Sequence, residues 1–254
     1  MDIIKSQNIV YKIKDKTIID NITFAIPQGT LTTLVGMNGS GKTTLLKLIA
    51  NIIKPTSGEI AFENKNVASY SVRELSQNIS IVFQDNNTNI DFTCLQIVLM
   101  GRMPYQKLLD ADKREDFAIV EQAMKQTETW QLRNRSINSL SGGEKQRVFI
   151  ARSLTQQTKV ILLDEPVANL DMKHQIEIMR LLKQIQQYNN TTILIVLHDL
   201  SLALKYSDYV LALKHGQLKF YDRADKVLTA ENIISLFEID TKIVENENII
   251  ITNK

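Results

Sequence analysis

The chain has 254 residues, 44% hydrophobic and 23% charged, a balance that suits a globular protein with a substantial core. With 30 basic and 28 acidic residues the net charge is +2, which excludes nucleic-acid binding by bulk positive charge and an acidic solvating tail. The single thiol, Cys94, excludes an internal disulfide or a cysteine-built zinc site and fits a reducing compartment. No apolar run approaches the ~20 residues that a membrane span needs. Met1–Lys5 lacks a basic and apolar leader, so a cytosolic protein able to dock on a membrane partner is expected. Glycine is scarce: 9 in all, about half the usual share of roughly 7%.

In chain order, Leu31–Val35 reads as a buried strand ending at Gly36. Thr43–Ala50 places Leu45, Leu48 and Ile49 on one helical face, with Pro55 just beyond its end. Residues 57–64 alternate as a half-exposed strand would, and Ser71 with Glu74 has capping-box spacing. Ile79–Phe83 is a second apolar strand, ending at Gln84. Residues 88–156 look mostly helical, with Phe117, Val120, Ala123 and Met124 forming the apolar face of a helix over Lys113–Thr127. Val160–Leu163 ends at Asp164 and Glu165, and Ile193–Leu197 ends at His198. Near-continuous Val/Ile/Leu runs of this length indicate strands covered on both faces, hence a parallel sheet in an α/β fold. Ligands of such folds bind along the C-terminal strand edge, so the four polar strand endings are expected to converge. With 4 prolines and no Ser/Gly-rich run there is no evident linker. The helical block 88–156 therefore reads as an insertion into a core made of 1–87 and 157–254.

Gly36-Met37-Asn38-Gly39-Ser40-Gly41-Lys42-Thr43 follows a strand and opens a helix, the context in which a glycine-rich loop wraps phosphate oxygens with its N–H groups. Lys42 is expected on the β- and γ-phosphates, Thr43 on Mg²⁺ and Thr44 near the α-phosphate. Beside that loop, Asp164 suits a Mg²⁺ contact and Glu165 the polarisation of an attacking water. His198 reads as a γ-phosphate contact, whereas His174 and His215 have no such context and read as surface residues. Gln84 could hold Mg²⁺ or the water, although a polar residue at a strand end is common. Ser141-Gly142-Gly143-Glu144 opens another helix, either as a second anion site or as a capping box of Ser141 with Glu144; both can hold together.

These residues in this order resemble the ATP-binding cassettes of ABC transporters. Gly36–Thr44 resembles their Walker A motif, Gln84 the Q-loop, Leu140–Arg147 the signature, Val160–Glu165 the Walker B motif with its catalytic glutamate, Ala168–Asp171 the D-loop and His198 the switch histidine. Together they cover nearly the whole chain. Met37 stands where the family often has proline, which removes no phosphate contact. The resemblance implies a P-loop NTPase fold with a RecA-like parallel core, an N-terminal antiparallel β subdomain and an inserted helical subdomain. It implies ATP hydrolysis with Mg²⁺ held by Thr43, Gln84 and Asp164. It also implies a head-to-tail dimer in which the signature residues of one subunit complete the ATP cage of the other. Tyr11 would be the adenine-stacking aromatic, or else a core residue.

The separation of Walker A from the signature, about a hundred residues, leaves no room for the long coiled coils of the chromosome-associated relatives, and there is one cassette rather than two. A stand-alone motor subunit that works on two separate permease subunits at the cytoplasmic membrane face is therefore implied, with an extracytoplasmic binding protein acting indirectly and no nucleic acid involved. Thr93 to Gln106, with Val98, Gly101-Arg102 and Pro104-Tyr105, resembles a stretch of cassettes that serve ferric siderophore, haem and vitamin B12 importers. Ferric siderophore is the leading substrate; haem, vitamin B12, zinc or manganese import, or export, are alternatives. Five of the nine glycines fall in the two phosphate motifs and Gly101 in this segment.

Overall fold

A strand that is apolar at every position has no face to offer water and must lie between two layers. The computed structural model, which describes residues 1–84, 91–106, 114–239, 241–244 and 248–251, shows that arrangement. The chain opens with the antiparallel strands β1 (Asp2–Ile13) and β2 (Lys16–Pro27), followed by β3 (Leu31–Gly36) and helix α1 (Lys42–Ile49). Next come β4 (Ser57–Phe62), β5 (Lys65–Asn66), α2 (Val72–Ser76) and β6 (Ile79–Val82). Between β6 and β7 the described residues form no strand beyond one isolated bridge of Thr93 with Ser136; they form α3 (Cys94–Leu99), a 3₁₀ segment Met100–Tyr105, α4 (Arg114–Gln126), two further 3₁₀ turns and α5 (Gly142–Thr155). The chain continues through β7 (Val160–Leu163), α6 (Met172–Asn189), β8 (Thr192–Val196), α7 (Leu200–Tyr206), β9 (Tyr209–Lys214) and β10 (Gln217–Arg223). It ends with α8 (Ala224–Val227), α9 (Ala230–Phe237) and the hairpin strands β11 (Thr241–Val244) and β12 (Asn248–Ile251). Among the described residues no helix is long and apolar enough to cross a membrane.

The central sheet runs β10-β9-β3-β8-β7-β6, with β9, β3, β8, β7 and β6 parallel and β10 antiparallel at one edge. The four expected strands are all present, and the apolar run Val210–Leu213 adds a fifth parallel one. Their side chains divide between two cores by simple alternation. Val160, Leu162, Leu194 and Val196 join the core shared with α1 and the antiparallel sheet β2-β1-β4-β5. Ile161, Leu163, Ile193 and Ile195 join the core shared with α3 to α7. Helix α1 is thus wedged between two sheets, and Leu46 is buried along with Leu45, Leu48 and Ile49.

The capping box of Ser71 and Glu74 at α2 is formed on both sides. The helix expected over 113–127 is α4, with Val120, Ala123 and Met124 buried; its first expected residue, Lys113, and the expected insert boundary at 88 lie outside the described residues. Phe117 is a correction: it is 41% exposed. The adjacent Asp116 turns inward instead, because Arg102 Nε donates to its Oδ1 at 2.7 Å, the two side chains being 8% and 11% exposed. Arg102 also donates to Thr155 O at 2.8 Å, so its charge caps the C-terminus of α5 as well as pairing with α4. Removing one partner of a buried ion pair strands the other's charge, so Asp116→Ala should cost about 3 kcal/mol and Phe117→Ala within about 0.5 kcal/mol, both read from denaturant unfolding.

Candidate nucleotide site

The loop between β3 and α1 turns so tightly that two of its glycines are forced. A Cβ on Gly36, at φ 149°, would lie 2.2 Å from Leu213 O, and one on Gly41, at φ 101°, would lie 2.7 Å from Ile19 Cδ1. Gly41 is also the N-cap of α1 and brings no side chain to cap it, whereas Ser71, Ser141 and Asp171 cap α2, α5 and α6. The N–H groups of the first turn of α1 are therefore left to bind something else. Ser40 Oγ, buried in the same loop, has no hydrogen-bond partner. An orphaned buried hydroxyl beside an uncapped helix N-terminus is what a phosphate cradle supplies.

Lys42 folds back over the loop, donating to Gly36 O at 2.8 Å and Met37 O at 3.1 Å. Burial pulls its ammonium below the usual lysine range, opposed by the carboxylates of Glu165 and Asp164. Thr43 Oγ1 donates to Asp164 Oδ1 at 3.1 Å. Burial pushes the Asp164 carboxyl up, an effect that the Thr43 hydrogen bond opposes and the charge of Glu165 adds to. Thr43 and Asp164 thus offer hard oxygen donors in a site where an ionised carboxylate lacks a full counter-charge. Mg²⁺ suits such a set, since it is held by one or two carboxylates together with substrate phosphates.

Strand register gathers the remaining polar ends. Val82 pairs with Leu163, and Leu163 with Ile195, so the residues just past β6, β7 and β8 emerge side by side. Glu165, in left-handed backbone at φ 50°, sits between the other two. Gln84 Nε2 donates to its Oε2 at 2.7 Å, and His198 Nε2 lies 2.6 Å from its Oε1. Gln84, Glu165 and His198 are therefore one hydrogen-bonded group, with Lys42 and Asp164 near enough to act on it electrostatically.

Ser141–Glu144 form a second cluster. Ser141 caps α5, and Glu144 returns the bond at 2.9 Å, completing the capping box. Those bonds from Ser141 hold the Glu144 carboxyl below the usual range. Among the described residues no hydrogen bond joins Ser141–Glu144 to Gly36–Thr44. Asp171 caps α6 by accepting from His174 N at 3.0 Å. Tyr11 is half-buried against the core shared with α1. Its register partner Ile19 is the residue that abuts Gly41, which places Tyr11 on the strand beside the loop.

His174 lies at the surface as expected, its side chain 39% exposed, but it is not without partners. Its Nδ1 lies 2.7 Å from Asp171 Oδ2, and its ring faces Gly143, where a Cβ would come within 2.9 Å of its Cδ2. The three-residue spacing after a helix cap could have signalled the first contact, but no sequence feature signals the second.

A phosphate loop and a paired set of carboxylates along one edge of a parallel sheet define a P-loop nucleotide triphosphatase. The profile of the ABC transporter family matches residues 19–168, and the chain belongs to that family. It is 36% identical over 246 residues to the probable siderophore transport system ATP-binding protein YusV of Bacillus subtilis, covering 97% of this chain and 90% of that protein. It is 38% identical over 245 residues to the achromobactin transport ATP-binding protein CbrD of Dickeya dadantii, covering 96% and 91%. A dimeric bacterial ABC transporter cassette superposes with a TM-score of 0.77 at 30% identity, covering 87% of this chain and 98% of that one. ABC ATPase cassettes work as dimers with membrane permease partners. Lys42→Ala should lower ATP affinity by about tenfold or more, the worth of one charge-assisted contact, as read by nucleotide titration of folded protein.

Proposed function

We propose that this chain is the ATP-hydrolysing motor subunit of a ferric siderophore importer. The observation that carries the reading is Glu165 held from both sides by Gln84 and His198, beside the Lys42–Thr43–Asp164 group. In this reading Gly36, Asn38, Gly39, Ser40, Gly41, Thr43 and Thr44 bind the phosphates through the loop and α1, and Lys42 releases its two carbonyls to meet the β- and γ-phosphates. Tyr11 carries the adenine ring. Thr43, Gln84 and Asp164 would hold Mg²⁺, which would neutralise charge on the phosphates. Glu165 positions the water and takes its proton; His198 orients Glu165 and the γ-phosphate. Placement and charge stabilisation carry most of the catalysis.

Two copies pair head to tail, and Ser141, Gly142, Gly143 and Glu144 of the partner subunit close over the γ-phosphate while its Asp171 borders the site. Residues 88–156 act as the inserted helical subdomain. Where it meets the core, exposed Ile52, Val72 and Met103 rim a groove of about 580 Å³ between the end of α1, α2 and the 3₁₀ segment Met100–Tyr105. This apolar groove suits a short helix of the permease at the cytoplasmic membrane face. Relatives named for siderophore and achromobactin transport support the substrate assignment.

Glu165→Gln should keep ATP binding, lower phosphate release by about 10²-fold or more, and accumulate an ATP-bound dimer, since general-base catalysis contributes at least that factor. Turnover at the wild-type rate would overturn the assignment. In vesicles with permease and binding protein, ATP on the cassette side should drive uptake of a ferric siderophore. Uptake of haem, vitamin B12 or a divalent metal instead would overturn the substrate.

A further inference from the structure

The D-loop of this chain is strapped to its own signature motif. Leu170 and His174 each close on one signature glycine: a Cβ on Gly142 would lie 3.1 Å from Leu170 Cδ2, and one on Gly143 would lie 2.9 Å from His174 Cδ2 and 3.1 Å from its Cγ. The same His174 reaches the other way, its backbone N–H and its Nδ1 both meeting the Asp171 carboxylate, at 3.0 and 2.7 Å. These bonds hold the Asp171 carboxyl below its usual range, so it stays ionised and can only accept; the Nδ1 proton belongs to His174. Gln175 Nε2 adds a bond to Leu170 O at 2.9 Å. At the other end of the strap, Ala168 N donates to Glu165 O at 3.1 Å. A continuous run of short contacts thus joins the carboxylate-bearing turn after β7 to the first turn of α5.

A second tie lies one helical turn further from the site. Arg147, four residues after Gly143, donates to Glu177, three residues after His174, at 3.0 Å and to Glu128 at 3.0 Å. The facing sides of α5 and α6 are therefore held together by Arg147 whatever occupies position 174. Only the tip of the pair, where His174 lies between Asp171 and Gly143, depends on His174.

We propose that His174 is a positioning residue that fixes Asp171 against Gly143, so that the D-loop and the signature of one chain reach a partner subunit as a single rigid edge. The proposal rests on the head-to-tail pairing put forward above. His174 itself touches neither the phosphate loop nor Glu165, and its effect falls on assembly of the shared site and not on the chain's own nucleotide grip.

The test is steady-state phosphate release against ATP concentration for wild type, His174→Ala, His174→Asn, Asp171→Ala and the double variant. His174→Ala should lower kcat by about 5- to 20-fold with KM for ATP within about twofold, the pattern of an interaction made only on the way to the transition state. His174→Asn keeps an N–H directed at Asp171 and should recover half or more of that loss. The double variant should be no worse than Asp171→Ala alone, since residues acting through one contact are not additive. A kcat within twofold of wild type, multiplicative losses in the double variant, or Asn no better than Ala would overturn the role. Thermal melting checks that each variant is folded. Size-exclusion with ATP separates the two levels of the argument. If Glu165→Gln dimerises and Glu165→Gln/His174→Ala dimerises about tenfold more weakly, the role of His174 is supported. Equal dimerisation overturns that role alone, and failure of Glu165→Gln itself to dimerise overturns the paired-cassette reading and this proposal with it.

Discussion

The parallel pairing of β6, β7 and β8 beside β3 is the constraint on which the rest of the structure depends. Hydrogen-bonded parallel strands end in step, so a residue just past one strand has neighbours just past the next. Gln84, Glu165 and His198 are separated by 81 and 33 positions along the chain, yet their side-chain atoms meet at 2.7 and 2.6 Å. Shifting one strand by a single residue would move its apolar side chains to the wrong core and its polar end out of reach. The two cores hold that edge in place: Ile161 and Leu163 pack on one face of β7 and Val160 and Leu162 on the other.

That edge carries features unfavourable for folding alone. Lys42 and Asp164 are buried with their charged forms penalised, Ser40 Oγ is unpartnered, and Glu165 adopts a backbone conformation that a residue with a side chain reaches only at some cost. All four lie in the loop after β3, the first residue of α1 or the turn after β7. A bound triphosphate with its cation would satisfy each electrostatic deficit at once, giving the ammonium an anion and the carboxylate a cation. In the proposed cycle these deficits favour nucleotide binding, and the site is arranged in advance of its ligand.

Most of this edge was legible in the sequence because its signals are local. A continuous apolar run followed by a polar residue is visible within six positions, and the spacing from Gly36 to Thr43 encodes a turn and a helix start together. What stayed hidden depends on partners far along the chain. The helical period of α4 offered Phe117 as a core residue, since nothing near it shows that Asp116 has Arg102 as an inward partner 14 residues earlier. His174 looked solitary because Gly143, the surface it covers, gives no sign of what lies above it. The scarcity of glycine makes sense in these terms too: Gly143 and Gly101 are close-approach positions whose neighbours come from other helices.

Gly101 shows how the two ends of α5 are tied to different tasks. A Cβ there would lie 2.1 Å from Thr155 Oγ1 and 2.2 Å from Arg152 O, so the 3₁₀ segment rests directly on the last turn of α5. Arg102 then binds Thr155 O, and Tyr105 Oη donates to Gln156 O at 2.8 Å. The segment that rims the apolar groove thus grips the C-terminus of a 14-residue helix whose first residues are the signature glycines. A helix of that length spans about 20 Å and resists bending, so the segment cannot tilt without carrying the signature with it. In the proposed cycle such a displacement would pass through Gly143 and His174 to Asp171, and through the turn after β7 to Glu165. In the proposed importer, closure over ATP and movement of the permease would then be two ends of one lever, with α5 as its rigid arm.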